Sequence, residues 1–151
     1  PDWSRGLGDV YKRQSGASFV VFGDNFTQSV TNVGTTDGET LTGTIDNDII
    51  FAGEGDDTIN GTPGEDRLSG GNGADVFIFS RDDGTSIITD FSTMDGDQVD
   101  VSKFGFANWA ELQPHLAATI GNNTQLTLDT DTFVYFEDIV YDELSETDFI
   151  I

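Results

Sequence analysis

The chain has no cysteine, so neither disulfides nor thiol chemistry are open to it. It has only six Lys and Arg against 28 Asp and Glu, a formal net charge of −22. That balance excludes nucleic acid and anionic membranes as direct partners and favours divalent cations. No stretch approaches the ~18 apolar residues of a membrane span. There is one histidine, His115, and no HExxH, no G-x-S-x-G and no phosphate-binding glycine loop. No catalytic constellation is therefore expected, and His115 reads as a surface or packing residue. High charge with 36% hydrophobic residues describes a chain that struggles to collapse alone. Binding would then have to supply folding free energy.

What is present is a strict period. Residues 43–78 divide without a gap into GTIDNDIIF, AGEGDDTIN, GTPGEDRLS and GGNGADVFI. The sixth place is always aspartate: Asp48, Asp57, Asp66, Asp75. The eighth is always apolar: Ile50, Ile59, Leu68, Phe77. Departures fall only at glycine places: Thr44 and Asp46 in the first block, Ala52 in the second, Thr62 in the third. Glycine permits positive φ and close backbone approach, so the first six residues of each block can curl into a tight loop with carbonyls turned inward. The last three form a short strand whose single apolar residue faces the core.

This pattern resembles G-G-x-G-x-D-x-U-x, the nonapeptide of the RTX (haemolysin-type calcium-binding) repeats. The resemblance implies an all-β fold: a short right-handed parallel β-roll, followed here by a β-rich C-terminal cap with one or two short helices. In that family two blocks make one coil, and ions lie between loops stacked on one side. Loops eighteen residues apart are then partners, pairing Asp48 with Asp66 and Asp57 with Asp75. Loop carbonyls would come from the second and fourth places: Thr44 and Asp46, Gly53 and Gly55, Thr62 and Gly64, Gly71 and Gly73. Calcium takes six to eight oxygens, carbonyls bring no charge, and the aspartate supplies it. About two to four ions are expected, with Asp83 and Asp90 as further ligands from the segment after the repeats. Asp95, Asp97 and Asp100 read as solvated turn residues.

The remaining organisation is read in four parts. Residues 4–14, SRGLGDVYKRQ, hold three of the six basic residues and look like a translated sequencing adapter, so residues 1–14 are expected to be artefact. The chain would then be a fragment. Residues 15–33 are a linker or the remnant of an upstream domain; GASFVVFG (16–23) is similar to the end of an FG-GAP propeller repeat. Residues 34–86 form the calcium-binding roll, opened by a half-coil in which Glu39 replaces the aspartate. The nonapeptide register ends after the fourth block. Residues 87–151 resemble the C-terminal region of serralysin-type secreted proteins, from ITDF to the terminal DFII. In this part Asn108 and Glu111 form a capping box, Pro114 ends the helix, and strands run at about 124–128 and 132–136. Ser145 and Asp148 form a second box. Trp109, Phe104, Phe106, Phe133 and Phe136 are candidates to cover the open end of the roll.

The function implied is a calcium-binding module that folds outside the cell, extracellular or on the cell surface. It would carry an uncleaved C-terminal signal for a type I secretion exporter, without catalysis of its own, as a monomer. Two alternatives stand beside it: the tail of a serralysin-like metalloprotease or other secreted enzyme, and the end of an FG-GAP/RTX adhesin.

Overall fold

A computed structural model describes residues 30–151, together with two short strands, β1 (Tyr11–Lys12) and β2 (Ser18–Phe19), which pair antiparallel. The adapter-like and FG-GAP-like segments otherwise lie outside the described residues.

Alternating apolar places draw the chain into two facing sheets. One contains β4 (Thr40–Thr42), β6 (Thr58–Asn60), β8 (Val76–Ile78), β10 (Gln98–Asp100) and β14 (Phe149–Ile150), parallel throughout. The other contains β3 (Asn32–Val33), β5 (Ile49–Glu54), β7 (Gly64–Asn72), β9 (Gly84–Ile88) and β13 (Thr132–Phe136), also parallel. It ends in an antiparallel meander, β13 to β12 (Thr124–Thr127) to β11 (Leu116–Ala118). The chain thus crosses from sheet to sheet every half-coil, a parallel β-solenoid of the expected class.

The inward residues stack in two columns. Leu41, Ile59, Phe77, Val99 and Phe149 are strand partners in the first sheet. Ile50, Leu68, Ile88 and Phe136 are partners in the second. All nine are buried in one core. Each full burial of such a side chain contributes on the order of 1.5–3 kcal/mol, and the column arrangement means that each coil covers its neighbour.

The nonapeptide spacing ends at the fourth block as expected, but the stacking does not. Leu68 pairs with Ile88 at an offset of twenty, and Phe77 with Val99 at an offset of 22. Two or four extra residues per coil are absorbed in the turns, so the cap is a continuation of both sheets. The half-coil at residues 34–42 is present too, with Leu41 in register on Ile59.

Helix α1 spans Trp109–Leu112 and passes into a 3-10 turn, Gln113–His115, at Pro114. Asn108 accepts the Glu111 N–H, while the Glu111 carboxylate reaches one residue further back, to the Ala107 N–H. The Asp148 carboxylate holds the Ser145 N–H. Phe104 and Phe136 are buried, and Phe106 and Trp109 pack against the core. Phe133 does not join it, because strand alternation turns Thr132, Val134 and Phe136 inward instead. His115 Nδ1 lies 2.7 Å from the Thr127 carbonyl, with its ring edge-on to Phe106, a packing role.

Candidate metal centre

The loops that cross between the sheets stack on two sides, and β5 and β7 run on into them at residues 52–54, 64–66 and 70–72. On one side lie residues 34–39, 52–57, 70–75 and 90–97; on the other lie 43–48, 61–66 and 79–83. The sixth-place acids form a ladder through the backbone. On the first side Asp57 Oδ1 accepts the Glu39 N–H at 2.7 Å, and Asp75 Oδ1 accepts the Asp57 N–H at 2.9 Å. Asp97 Oδ1 then accepts the Asp75 N–H at 3.0 Å. On the second side Asp66 Oδ1 accepts the Asp48 N–H at 2.9 Å. The expected eighteen-residue pairs are therefore adjacent.

Their second oxygens differ in a way that the repeat pattern does not announce. Asp57 Oδ2, Asp66 Oδ2 and Asp75 Oδ2 are buried with no hydrogen-bond partner in the protein. Asp48 Oδ2 instead accepts the Thr44 N–H at 2.5 Å, and Glu39 Oε2 accepts the Thr35 N–H at 2.6 Å. The cause is the second-place backbone. Gly53, Thr62 and Gly71 have positive φ (119°, 67° and 96°), whereas Thr35 and Thr44 do not. Where the second residue stays at negative φ, its N–H turns onto the carboxylate of its own loop. Where φ is positive, the carboxylate oxygen is left bare. A β-branched residue at positive φ is an outlier, so Thr62 holds an open loop against its own preference.

The first-place glycines explain the tightness. A Cβ built on Gly61 or Gly70 would collide with Asp66 Oδ2 or Asp75 Oδ2. The second and fourth places also stack pairwise. Gly53 pairs with Gly71 in the strand register, and the Thr62 hydroxyl donates to the Thr44 carbonyl. Gly73 sits over the Gly55 carbonyl and Gly64 over that of Asp46. Two of the expected ligands from beyond the repeats are differently placed. Asp83 is buried and accepts the Ser80 N–H at 2.6 Å. Asp90 accepts the N–H groups of Gly70 and Gly71, each at 3.0 Å, and the Ser69 hydroxyl at 2.5 Å, bracing the fourth loop.

Asp97 corrects the sequence reading. It is 2% exposed, not a solvated turn residue, and holds the Asp75 and Ser92 N–H groups with its two oxygens. A signal was available: Asp97 stands two before inward Val99, as Asp75 stands two before Phe77. Asp95 is exposed, and Asp100 holds the Ser102 N–H at 2.9 Å.

Burial makes these acids reluctant to ionise. It pushes Asp66 up to about 7, with Asp48 and Asp83 adding repulsion and the Asp48 N–H opposing. It pushes Asp75 up to about 6, with Asp97, Asp57 and Asp90 adding repulsion and the Asp57 N–H opposing. Asp57, Asp83 and Asp97 are raised for the same first reason.

An unpaired buried polar atom costs about 1–3 kcal/mol, more if charged. Three such oxygens, two on one side of the roll and one on the other, fit hard cations. Among the described residues no three acidic or histidine side chains converge on one point. An ion here would therefore take backbone carbonyls beside the aspartates. Oxygen-only donors on a curved backbone suit calcium's flexible shell better than magnesium's strict octahedron. When bound, the ion would supply the positive charge that this ladder lacks.

Comparison with known proteins agrees. Residues 33–66 and 53–85 match the family model of the RTX calcium-binding nonapeptide repeat (4 copies). No curated protein matches the chain. Two solved structures from Azotobacter vinelandii are similar, both subunits of a mannuronan C5-epimerase. AlgE6R2 is 26% identical with a TM-score of 0.54, over 84% of this chain and 94% of its own. AlgE6R3 is 24% identical with a TM-score of 0.52, over 84% of this chain and 83% of its own. A share of 84% exceeds the roll, so the likeness extends into the cap. Stacked open loops, an eighteen-residue register and a matching family model together make residues 33–85 an RTX calcium-binding repeat module.

Proposed function

We propose that the module is a calcium-gated folding unit at the C-terminal end of a secreted protein. The observation that carries this is the trio of buried, unpartnered aspartate oxygens at Asp57, Asp66 and Asp75. Without a cation they oppose the coil that buries them; with one they hold adjacent coils together. In a calcium-poor cytosol the highly acidic chain stays loose enough to pass through a type I exporter. Outside, calcium at ~10⁻⁴–10⁻³ M, the range of extracellular modules, closes the roll. Residues 145–151 supply the export signal, and the chain has no catalysis of its own. The likeness to a subunit of an epimerase favours an enzyme as the parent of this module.

The test is far-UV circular dichroism of the full chain in chelator, then titrated with calcium and with magnesium. A cooperative gain of β signal in calcium alone is the expected result. A chain already folded in chelator and indifferent to calcium would sink the gating mechanism.

A further inference from the structure

We infer that Asn72–Gly73 is a site of spontaneous self-modification, open in the calcium-free chain and shut when the roll closes; this rests on the calcium-gated reading. Chains that stay open are then lost covalently, by lengthening of the main chain inside a metal loop.

The sequence holds two Asn-Gly bonds, Asn60–Gly61 and Asn72–Gly73, and both lie in the repeats. Glycine has no side chain to shield its nitrogen and restricts the backbone least, so this pair is prone to ring closure. The Gly73 nitrogen gives its proton to hydroxide and attacks Asn72 Cγ. The N–Cγ bond forms, the Cγ–Nδ2 bond breaks, and the nitrogen leaves as ammonia with a proton from water. Water then opens the cyclic imide at either carbonyl. One product is aspartate. The other is isoaspartate, whose main chain runs through the former side chain and is one carbon longer.

Closure requires the Cα–C bond of Asn72 to rotate and bring the Gly73 nitrogen over the side chain. The fold blocks that rotation. Asn72 is the last residue of β7, extended and paired with Glu54. Its carbonyl belongs to the same peptide unit as the Gly73 nitrogen and accepts the Gly55 N–H at 2.9 Å. The side chain is exposed, so solvent reaches it and stacking on the previous coil is what protects it. Asn60, at the end of β6, is half-buried and held twice. Its carbonyl accepts the Gly43 N–H at 2.8 Å and its Oδ1 accepts the Thr62 N–H at 3.0 Å.

The lengthened product falls where the loop has no slack. Gly71 and Gly73 flank Asn72 at φ 96° and 130°. One carbon added at either would collide with the carbonyl of Gly53 or of Gly55 in the coil beneath. An extra main-chain carbon between them meets the same wall. The loop also carries Asp75 with its bare Oδ2. Isoaspartate at 72 therefore shifts the Gly71 and Gly73 carbonyls away from Asp75, and the modified loop no longer stacks.

The experiment incubates the full chain at mildly alkaline pH in chelator and, in parallel, in calcium. Conversion at Asn72 and Asn60 is followed by peptide mapping with enzymatic isoaspartate labelling. Asn72 should convert in chelator, and in calcium roughly tenfold or more slowly, in proportion to the time the loop spends open. Chains enriched in isoaspartate at 72 should lose the gain of β signal in calcium. Asn72→Gln, whose longer side chain closes a ring far more slowly, should keep that gain through the same incubation. Asn72→Asp, the same charge on a main chain of normal length, should also keep it. Absent conversion in chelator, equal conversion with and without calcium, or an isoaspartate chain that still folds in calcium each overturns the site. A freshly prepared chain with no β gain in calcium overturns the gating reading instead, before any product has accumulated.

Discussion

Three aspartate oxygens without partners set the behaviour of this molecule at the residue scale. Asp66 and Asp75 have values of about 7 and about 6 in the fold against 3.8 in the open chain. Between those limits the folded state binds more protons than the unfolded state. Stability of the calcium-free protein therefore falls as pH rises through that window, and is fullest below it. Calcium displaces the same protons, so its affinity must rise with pH, up to about tenfold per pH unit for each proton released. Calcium titrations at pH values of about 5, 6, 7 and 8 check this: the midpoint should fall steadily. A flat midpoint would mean that these acids are already ionised in the calcium-free fold. The aspartates themselves were legible from the period alone, because four acids in register leave little room for another reading. Asp97 was not, since its offset of 22 hides it from a nine-residue ruler, although its spacing to Val99 is that of every repeat.

At the scale of the element, the loops are of two kinds. Those at 34–39 and 43–48 satisfy their own carboxylates through Thr35 and Thr44; those at 52–57, 61–66 and 70–75 do not. Thr62 is the misfit, a β-branched residue at φ 67° in an open loop, with its hydroxyl on the Thr44 carbonyl. Thr62→Gly is expected to stabilise the calcium-bound protein by about 1 kcal/mol, since the left-handed conformation costs other residues roughly 1–2 kcal/mol. It should also lower the calcium midpoint by freeing that carbonyl. Chemical denaturation in calcium measures the first effect, and a loss of stability would show that the Thr62 hydroxyl matters more than its backbone strain. The strands, the half-coil at 34–42 and both capping acids could be read from alternation and spacing. The open and closed states of the loops could not, because threonine at the second place occurs in both kinds, and only the backbone angle separates Thr62 from Thr44.

At the scale of the whole molecule, described residues 30–151 form one solenoid whose last coils are built from longer insertions. The terminal strand β14 is part of it: Phe149 is 6% exposed, and its ring lies 6.5 Å from that of Phe136. Residues 145–151 thus have two roles in the proposed function, as export signal and as the edge of a sheet. Their removal is expected to abolish export and to lower the thermal midpoint in calcium, losing on the order of 3–5 kcal/mol with the phenylalanine alone. Ion binding at the 52–75 loops should persist. Secretion assayed beside calorimetry separates the two roles, and normal export of the truncated chain would refute the signal. That the cap prolongs both sheets was hidden in the sequence, because strand partners twenty or 22 residues apart, and 48 apart from Ile88 to Phe136, share no common period.

The eighteen-residue register has a geometric consequence for whatever lies upstream. One nonapeptide is half a coil, so inserting or deleting one moves the entry point of the chain to the opposite sheet. Two restore the original side and shift it by a single strand spacing, about 4.8 Å. The number of repeats is therefore a parity switch as well as a ruler: an odd change turns the preceding part to the other face, and an even change only moves it further out.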